Sequence, residues 1–314
     1  MRGRALTILA QVREPLIARI ADAVPDVEVV RIPGEGSVPD DVHGEVLLTV
    51  PWGSANLAQV VARGVHWVHA LGTGIDAFPV EFLGSRILTC SRGASAVPIA
   101  EWVLAVMLAF EKRLPDIWIR ARPADGRSRE MLGTLHGKVL GLVGLGGIGT
   151  AVATRALAFG MRVRACRRTT APGRLADVAI VPSLRDLVAS ADHLVLAAPA
   201  TPATRHLIDC DVFAAMKPGL HLIDVARGAL VDQEALRAAL DDGRIGRASL
   251  DAVEPEPLPE GHWMYDHPRV RLSPHVSWSM PGAADVLIDC FIDNLRRYRA
   301  GEPLVGVVDR ETGY

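Results

Sequence analysis

Three polar residues late in the sequence, Arg227, Glu256 and His275, each lie beyond a short apolar run that predicts a β-strand. A guanidinium can bind a carboxylate and a neighbouring carbonyl oxygen through its planar set of N–H groups. An imidazole can give a proton to an oxygen that gains negative charge, and a nearby carboxylate can hold the protonated ring. This combination suits the reduction of a 2-keto acid, with Arg227 binding substrate, His275 as the acid and base, and Glu256 orienting it.

The hydride for such a reaction is typically carried by a nicotinamide dinucleotide, and the chain contains a glycine fingerprint for one. The apolar strand VLGLV precedes this fingerprint and an alanine-rich helix follows it. Glycines at these spacings permit a tight turn, close approach to a pyrophosphate, and close packing of helix on strand, while the helix N–H groups bind the anion. The cofactor-binding candidates in this turn are Gly144, Gly146, Gly147, Ile148 and Gly149.

The next predicted strand ends in Arg167, Arg168 and Thr169, where an NAD-binding protein usually has an acidic residue. Two guanidiniums and a hydroxyl suit the 2′-phosphate of NADP, because arginine binds phosphate with two parallel hydrogen bonds. The sequence therefore favours NADP(H), with NAD(H) as the second candidate. The alternative is that these are solvated residues in a chain whose basic residues are mostly arginine.

Strand and helix patterns alternate along the chain, which predicts parallel sheets covered by helices on both faces. Ligands of such sheets bind beyond the carboxyl ends of the strands, so we expect Arg227, Glu256 and His275 to converge there. The predicted strands are Leu6–Ala10, Val27–Ile32, Val46–Val50, Trp67–Leu71, Val139–Val143, Arg162–Cys166, His193–Ala197, His221–Val225 and Val270–Leu272. The predicted helices are Glu14–Ala23, Ala55–Ala62, Ala96–Arg113, Ile148–Phe159, Glu234–Asp241 and Ala283–Arg299.

Composition excludes several other classes of protein. A length of 314 residues is typical of two domains. A formal charge of −2 does not provide the excess of basic residues that binding to nucleic acid requires. The four cysteines form no CxxC pair, so we expect no metal site and free thiols in a reducing cytoplasm. We see neither a signal peptide nor an apolar run long enough to span a membrane. These features predict a cytoplasmic protein that binds neither membrane nor nucleic acid.

With these motifs, the sequence resembles the D-isomer-specific 2-hydroxyacid dehydrogenases over nearly its whole length. The spacings of 29 residues from Arg227 to Glu256 and 19 from there to His275 are similar to that family's. The motifs that carry the resemblance are GLVGLGGIG, PATPATRHLI (199–208), MKPGLHLIDVARGALVD (216–232), LDAVEPEPLP (250–259) and SPHVSW (273–278).

The resemblance implies an α/β fold of two Rossmann-like, doubly wound parallel-sheet domains. A dinucleotide-binding domain at 97–280 would be inserted within a flavodoxin-like substrate domain formed by 1–96 and 281–314. Catalysis would take place in the cleft between them, and the protein would form a homodimer through its cofactor domains. Arg227, Glu256 and His275 match the family's substrate-binding arginine, orienting acid and acid/base.

The resemblance also assigns binding residues. Asp251 matches a residue that binds the nicotinamide amide, and the loop 71–76 matches one whose N–H groups hold the substrate carboxylate. The remaining cofactor candidates are Pro199, Thr204 and Val225, and the substrate candidates are Trp52, Leu71, Gly72, Thr73, Gly74, Arg227 and Trp278.

The sequence departs from the family pattern at several positions. Asp224 replaces a usual asparagine, and Cys166-Arg167 replaces a usual aromatic–aspartate pair, which puts the use of NAD in doubt. Trp278 stands where smaller residues are common, and it either narrows the substrate pocket or packs in the structure.

The C-terminal VDRETGY, the Trp52 loop and the basic strand end resemble the glyoxylate/hydroxypyruvate reductase A branch. This implies reduction of a small 2-keto acid to the D-2-hydroxy acid. One alternative is a dehydrogenase of the same family with an unusual substrate, such as formate, phosphite or a phosphonate keto acid. Another is a non-catalytic dinucleotide-sensing protein similar to the family's transcriptional co-repressors.

Overall fold

The computed structural model describes residues 5–121, 130–168, 175–309 and 313–314. The chain divides into two compact α/β units, of which the first combines Met1–Ser95 with Met280–Tyr314 and the second is Ala96–Ser279. In the part of the chain that is described, no helix is both long and apolar enough to cross a membrane.

The two units contain parallel sheets of five and seven strands. The strands are β1 (Leu6–Ala10), β2 (Val27–Arg31), β3 (Val46–Thr49), β4 (Trp67–Ala70), β5 (Ile87–Cys90), β6 (Val139–Val143), β7 (Arg162–Cys166), β8 (Val178–Ile180), β9 (His193–Leu196), β10 (Leu220–Asp224), β11 (Ile245–Leu250) and β12 (Val270–Leu272). The helices are α1 (Glu14–Ala23), α2 (Leu57–Val61), α3 (Ala96–Glu111), α4 (Gly147–Ala158), α5 (Leu184–Val188), α6 (Cys210–Ala215), α7 (Gln233–Asp241), α8 (Trp263–Asp266) and α9 (Ala283–Ala300), with 3₁₀ turns at Val80–Leu83 and Gly228–Leu230.

The sheet of the first unit has the order β2-β1-β3-β4-β5, which is that of flavodoxin-like folds. Strands β3 and β4 are buried on both faces, as parallel strands covered by helices must be. Trp67 of β4 is fully buried and stacks on Phe291 and Tyr298 of α9, with ring centroids 5.4 and 5.2 Å apart. Aromatic packing thus holds the last helix of the chain against the N-terminal sheet.

The sheet of the second unit has the order β12-β11-β10-β9-β6-β7-β8, with every neighbouring pair parallel. This is the Rossmann order with one further strand at the edge, and the order reverses between β6 and β9. The carboxyl ends of β6 and β7 therefore lie at the same sheet edge as those of β9 to β12. Ligands of this fold bind beyond that edge.

The predicted fold class is confirmed by these two sheets, although several element boundaries were wrong by one or two residues. The predicted helix Ala96–Arg113 ends at Glu111, because Arg113 has a left-handed backbone with φ +53°. The predicted strand His221–Val225 begins one residue earlier and ends at Asp224. Sequence patterns missed β5 and β8, which have four and three residues.

Candidate active site

The glycine turn between β6 and α4 has the shape that a bound pyrophosphate requires. Gly144 has φ +97°, and a Cβ there would lie 2.7 Å from the carbonyl oxygen of Ala197. A Cβ on Gly149 would lie 2.3 Å from the carbonyl oxygen of Gly144, so only glycine fits at either position. Gly146 is the N-cap of α4, no described side chain caps the helix, and the space beside its Cα is open. The turn therefore fits a dinucleotide phosphate.

The end of β7 lies directly beside this turn, because the N–H of Gly144 donates to the carbonyl oxygen of Cys166 at 2.9 Å. Arg167 follows and is half-buried, whereas Arg168 is exposed. Among the described residues, Nε and Nη2 of Arg167 have no hydrogen-bond partner although both are buried. Thr169, the third candidate of this group, lies outside the described residues.

A hydrogen-bonded turn follows β9 at the same edge of the sheet. Oγ1 of Thr204 donates to the carbonyl oxygen of Pro199 at 2.8 Å and accepts the N–H of Thr201 at 2.8 Å. Val225, after β10, is 6% exposed and packs in the apolar core between the sheet and α3. The predicted roles of these residues in cofactor binding remain predictions.

Arg227 lies on a tight turn that leaves β10, and Gly228 fixes the path of this turn. A Cβ on Gly228 would lie 2.0 Å from the backbone carbon of Val253, so the turn packs backbone against backbone. Nη1 of Arg227 donates to the carbonyl oxygen of Ala226 at 2.7 Å. The guanidinium is half-buried at the edge where the glycine turn lies.

Glu256 and His275, which follow β11 and β12, form a hydrogen-bonded pair. Oε1 of Glu256 lies 2.9 Å from Nδ1 of His275, and the two side chains are 38% and 34% exposed. Because Nδ1 bonds the carboxylate, the Nε2 atom is the one that can exchange a proton with a ligand.

The backbone of His275 is held in an unusual conformation, with φ +52°. The N–H of His275 donates to the carbonyl oxygen of Ser273 at 2.9 Å, and Nε1 of Trp278 donates to the carbonyl oxygen of His275 at 2.8 Å. Trp278 is 41% exposed, so its indole is bonded to the chain while part of its ring surface remains open. Both interpretations of Trp278 stay open as predictions.

Asp251 anchors the His275 segment from the end of β11. It is 2% exposed, and Oδ1 accepts the hydroxyl of Ser273 at 2.5 Å and the N–H of Val276 at 2.9 Å. Oδ2 accepts the N–H of Ser277 at 2.9 Å. The predicted bond from Asp251 to the nicotinamide amide remains a prediction. Sequence reasoning missed Ser273 and Ser277, since serines flanking a histidine carry no specific signal.

The substrate candidates in the first unit follow β3 and β4. Trp52 is 66% exposed, and Oγ1 of Thr73 donates to the carbonyl oxygen of Ser91 at 3.2 Å. The N–H groups of Leu71 and Gly72 donate to the carbonyl oxygens of Thr49 and Ala70, at 2.8 and 2.9 Å. A search of the described residues finds no group of three or more His, Cys, Asp or Glu side chains that could hold a metal.

Known proteins resemble the chain in sequence and in structure. It is 34% identical over 265 residues to a D-3-phosphoglycerate dehydrogenase of Mycobacterium tuberculosis, covering 83% of this chain and 48% of the relative. It is 29% identical to a glyoxylate/hydroxypyruvate reductase A of Photorhabdus laumondii, covering 80% and 82%. The chain therefore spans about half the length of the phosphoglycerate dehydrogenases it matches.

A solved structure extends the resemblance to the whole fold. It is a D-isomer specific 2-hydroxyacid dehydrogenase from Xanthobacter autotrophicus Py2, in complex with NADPH and MES. It aligns with a TM-score of 0.83 and 26% identity, over 99% of this chain and all of that one.

The sequence profile of the NAD binding domain of the D-isomer specific 2-hydroxyacid dehydrogenases matches residues 104–277. This match spans the glycine turn and also includes Arg227, Glu256 and His275. By its sequence profile and its two parallel sheets, the chain belongs to the D-isomer specific 2-hydroxyacid dehydrogenase family.

Proposed function

We propose that this protein is an NAD(P)H-dependent reductase that converts a small 2-keto acid, similar to glyoxylate or hydroxypyruvate, to the D-2-hydroxy acid. The observation that carries the proposal is the 2.9 Å bond between Nδ1 of His275 and Glu256. The Arg227 turn lies at the same sheet edge as this pair, and so does a glycine turn that fits a dinucleotide. This edge of the sheet therefore carries a cation that can bind an anionic substrate, a proton donor, and a turn that can bind the cofactor.

A reduced nicotinamide dinucleotide, held at the glycine turn, would supply the hydride for the keto carbon and would itself be oxidised. Arg227 binds the substrate carboxylate and the keto oxygen, which orients the carbonyl and stabilises its developing negative charge. His275 gives the proton on Nε2 to that oxygen, so a C–H and an O–H bond form as the carbonyl π bond is lost. Glu256 holds the imidazolium through its hydrogen bond to Nδ1. In the oxidation direction, neutral His275 accepts the hydroxyl proton.

For the cofactor we favour NADP(H) over NAD(H), and Arg167 supports this preference. Two of its guanidinium nitrogens are buried without a hydrogen-bond partner among the described residues, and an unsatisfied buried donor is costly. A 2′-phosphate beside the end of β7 would satisfy such donors. Arg168 follows on the surface of the same strand end.

For substrate binding we propose that the loop after β4 contributes the N–H groups of Thr73 and Gly74. Those of Leu71 and Gly72 already donate to backbone carbonyl oxygens within the first unit. Trp52 and Trp278 would limit the size of the substrate with their exposed ring surfaces.

We also propose a homodimer, on the evidence of the segment that follows α3. Trp118 and Ile119 are each 69% exposed and Met131 is 93% exposed. Met131 lies two residues before Gly133, whose N–H donates to the carbonyl oxygen of Glu111 in α3 at 3.0 Å. Large exposed apolar side chains suit a subunit interface. The cysteines are free thiols, which suits our proposal of a cytoplasmic enzyme.

The test is oxidation of NADPH, followed by its absorbance, with glyoxylate, hydroxypyruvate, pyruvate, longer 2-keto acids and a phosphonate analogue, repeated with NADH. Turnover of a small 2-keto acid would support the proposal, and the better cofactor would decide between NADPH and NADH. No turnover of any 2-keto acid by a protein that still binds NADPH would contradict it. Assays with formate and phosphite would then separate an unusual dehydrogenase from a dinucleotide sensor.

A further inference from the structure

Asp224 lies at the carboxyl end of β10 and its side chain is completely buried. Its Oδ1 accepts the N–H of Ala226 at 2.8 Å, and the backbone N–H of Arg227 also bonds to the carboxyl group. These two bonds close the turn that carries the chain from β10 to Arg227. The other oxygen, Oδ2, is buried and has no hydrogen-bond partner among the described residues.

The charges of two neighbouring residues, Asp251 and Arg227, shift the pKa of the Asp224 carboxyl in opposite directions. Asp251 lies at the end of the neighbouring strand, and its N–H donates to the carbonyl oxygen of Asp224 at 2.9 Å. Arg227 lies on the same turn as Asp224 and is the cation. On its other side β10 pairs with β9, where the buried apolar Leu196 lies opposite Asp224.

The carboxyl groups of Asp224 and Asp251 differ in the hydrogen bonds that they accept. The carboxyl oxygens of Asp251 accept three hydrogen bonds, from the hydroxyl of Ser273 and the N–H groups of Val276 and Ser277. Asp224 has a buried oxygen without a partner, and ionising it would place a second anion beside the first. Burial above all, with the charge of Asp251, raises the pKa of Asp224 to about 8, although Arg227 and the turn N–H groups act in the opposite direction. At neutral pH the proton therefore stays on Asp224.

We propose that Asp224 is a positioning residue that acts through Arg227, and that its proton keeps the guanidinium charge available to the carboxylate of the substrate. When Asp224 ionises, it competes with the substrate for that charge. The inference rests on the proposed function of Arg227 as the substrate ligand. By linkage, a bound anionic substrate favours the protonated form of Asp224.

The experiment compares the wild type with Asp224→Asn, using the 2-keto acid that the enzyme reduces best. Asparagine keeps an oxygen for the N–H of Ala226 but cannot ionise. All other titratable groups are common to both proteins, so the ratio of their KM values isolates Asp224. We expect the ratio of wild-type to variant KM to rise about tenfold between pH 7 and pH 9, while the ratio of kcat values stays flat. A KM ratio that is constant with pH would overturn the proposal.

Asp209→Asn is the matched control, because Asp209 caps α6 and asparagine is an equally good N-cap. This variant should keep the wild-type dependence of KM on pH. If it shifted KM in the same way as Asp224→Asn, the effect would not belong to the Arg227 turn and the proposal would fail.

A second measurement needs neither substrate nor a folded variant. Infrared difference spectra of the wild type, with ¹³C-labelled aspartate, should show a protonated aspartic acid at neutral pH that disappears near pH 8. Absence of this band at neutral pH would overturn the inference. Arg227→Gln separates the two proposals: an unchanged KM would reject the function of Arg227, whereas the infrared band reports on Asp224 alone.

Discussion

Oε1 of Glu256 lies 2.9 Å from Nδ1 of His275, and both residues belong to the second unit of the chain. The bond leaves one ring nitrogen for proton transfer and places a negative charge beside the imidazolium that must form. Replacing Glu256 with glutamine removes that charge but keeps a hydrogen-bond acceptor. We expect kcat for reduction to fall by at least about tenfold, with a smaller change in KM, in steady-state assays. Glu254→Gln is the control, since Glu254 pairs with the exposed Arg205, and an equal loss in both variants would contradict the assigned function.

His275→Asn should lower kcat by about 10²–10⁴-fold, because it removes the proposed acid while leaving the cofactor turn intact. Asparagine tolerates the left-handed backbone at this position, so folding should be preserved. The measurement is single-turnover reduction, together with NADPH affinity by fluorescence. His206→Asn is a matched control, because His206 is another histidine with positive φ, and it should retain full activity. If His275→Asn kept the wild-type turnover, another group would have to donate the proton to the substrate oxygen.

Arg167→Ala should raise KM for NADPH by about tenfold or more and change KM for NADH little, since a charge-assisted hydrogen bond contributes about 1.5–3 kcal/mol. The reason is the pair of buried guanidinium nitrogens that find no partner among the described residues. The control is Arg162→Ala, which removes an exposed arginine from the start of the same strand. An equal effect on both cofactors would reject recognition of the 2′-phosphate.

The stability of the first unit should fall as the pH falls below neutral, because of His69. This residue is fully buried, with Nδ1 2.7 Å from Oγ1 of Thr89 and Nε2 3.1 Å from Oγ of Ser91. Burial lowers its pKa from 6.5 to about 3. The unfolded chain therefore binds a proton that the folded chain does not, so stability present above pH 6.5 is lost between that pH and about 3.

The slope from His69 alone is about 1.4 kcal/mol for each pH unit in this window. Urea unfolding at several acidic pH values, followed by tryptophan fluorescence, measures it. Replacing His69 with glutamine should flatten the pH dependence, whereas the exposed His43→Gln should keep it. An unchanged slope in His69→Gln would show that other groups cause the acid sensitivity.

The proposed homodimer predicts that Ile119→Glu combined with Met131→Glu yields monomers. These side chains are 69% and 93% exposed, and burying two carboxylates in an apolar interface is costly. Light scattering coupled to gel filtration measures the mass. Ile180→Lys, which changes an exposed apolar residue on the edge strand β8, should leave the wild-type mass unchanged. A wild type that elutes as a monomer would reject the dimer.

Regular alternation of apolar runs and helical patterns was sufficient to predict two parallel sheets, and glycine spacing located the turn after β6. The sequence also predicted that Glu256 and His275 come together, because consecutive strands of such a fold end at one edge. The bonds of Asp251 to Ser273 and Ser277 could not be predicted. They depend on side-chain directions across 22 and 26 residues of chain, which no local pattern encodes.

The surroundings of the Asp224 carboxyl could not be predicted from the sequence either. Its replacement of asparagine was visible, but its complete burial and its neighbour Asp251 follow from the pairing of β10 with β11. The strand β8 was missed, although β12 also has three residues and was predicted.

Arg227, Glu256, His275 and the glycine turn all lie within Ala96–Ser279. The residues of the proposed chemistry thus lie on one continuous stretch of chain, between Ser95/Ala96 and Ser279/Met280, which can be moved as a single cassette in a chimera design. A chimera that keeps this cassette and takes its flanking segments from another family member would inherit the hydride and proton chemistry from one parent. Of the proposed substrate residues, Trp52 and the loop after β4 would come from the other parent, whereas Trp278 would stay with the cassette.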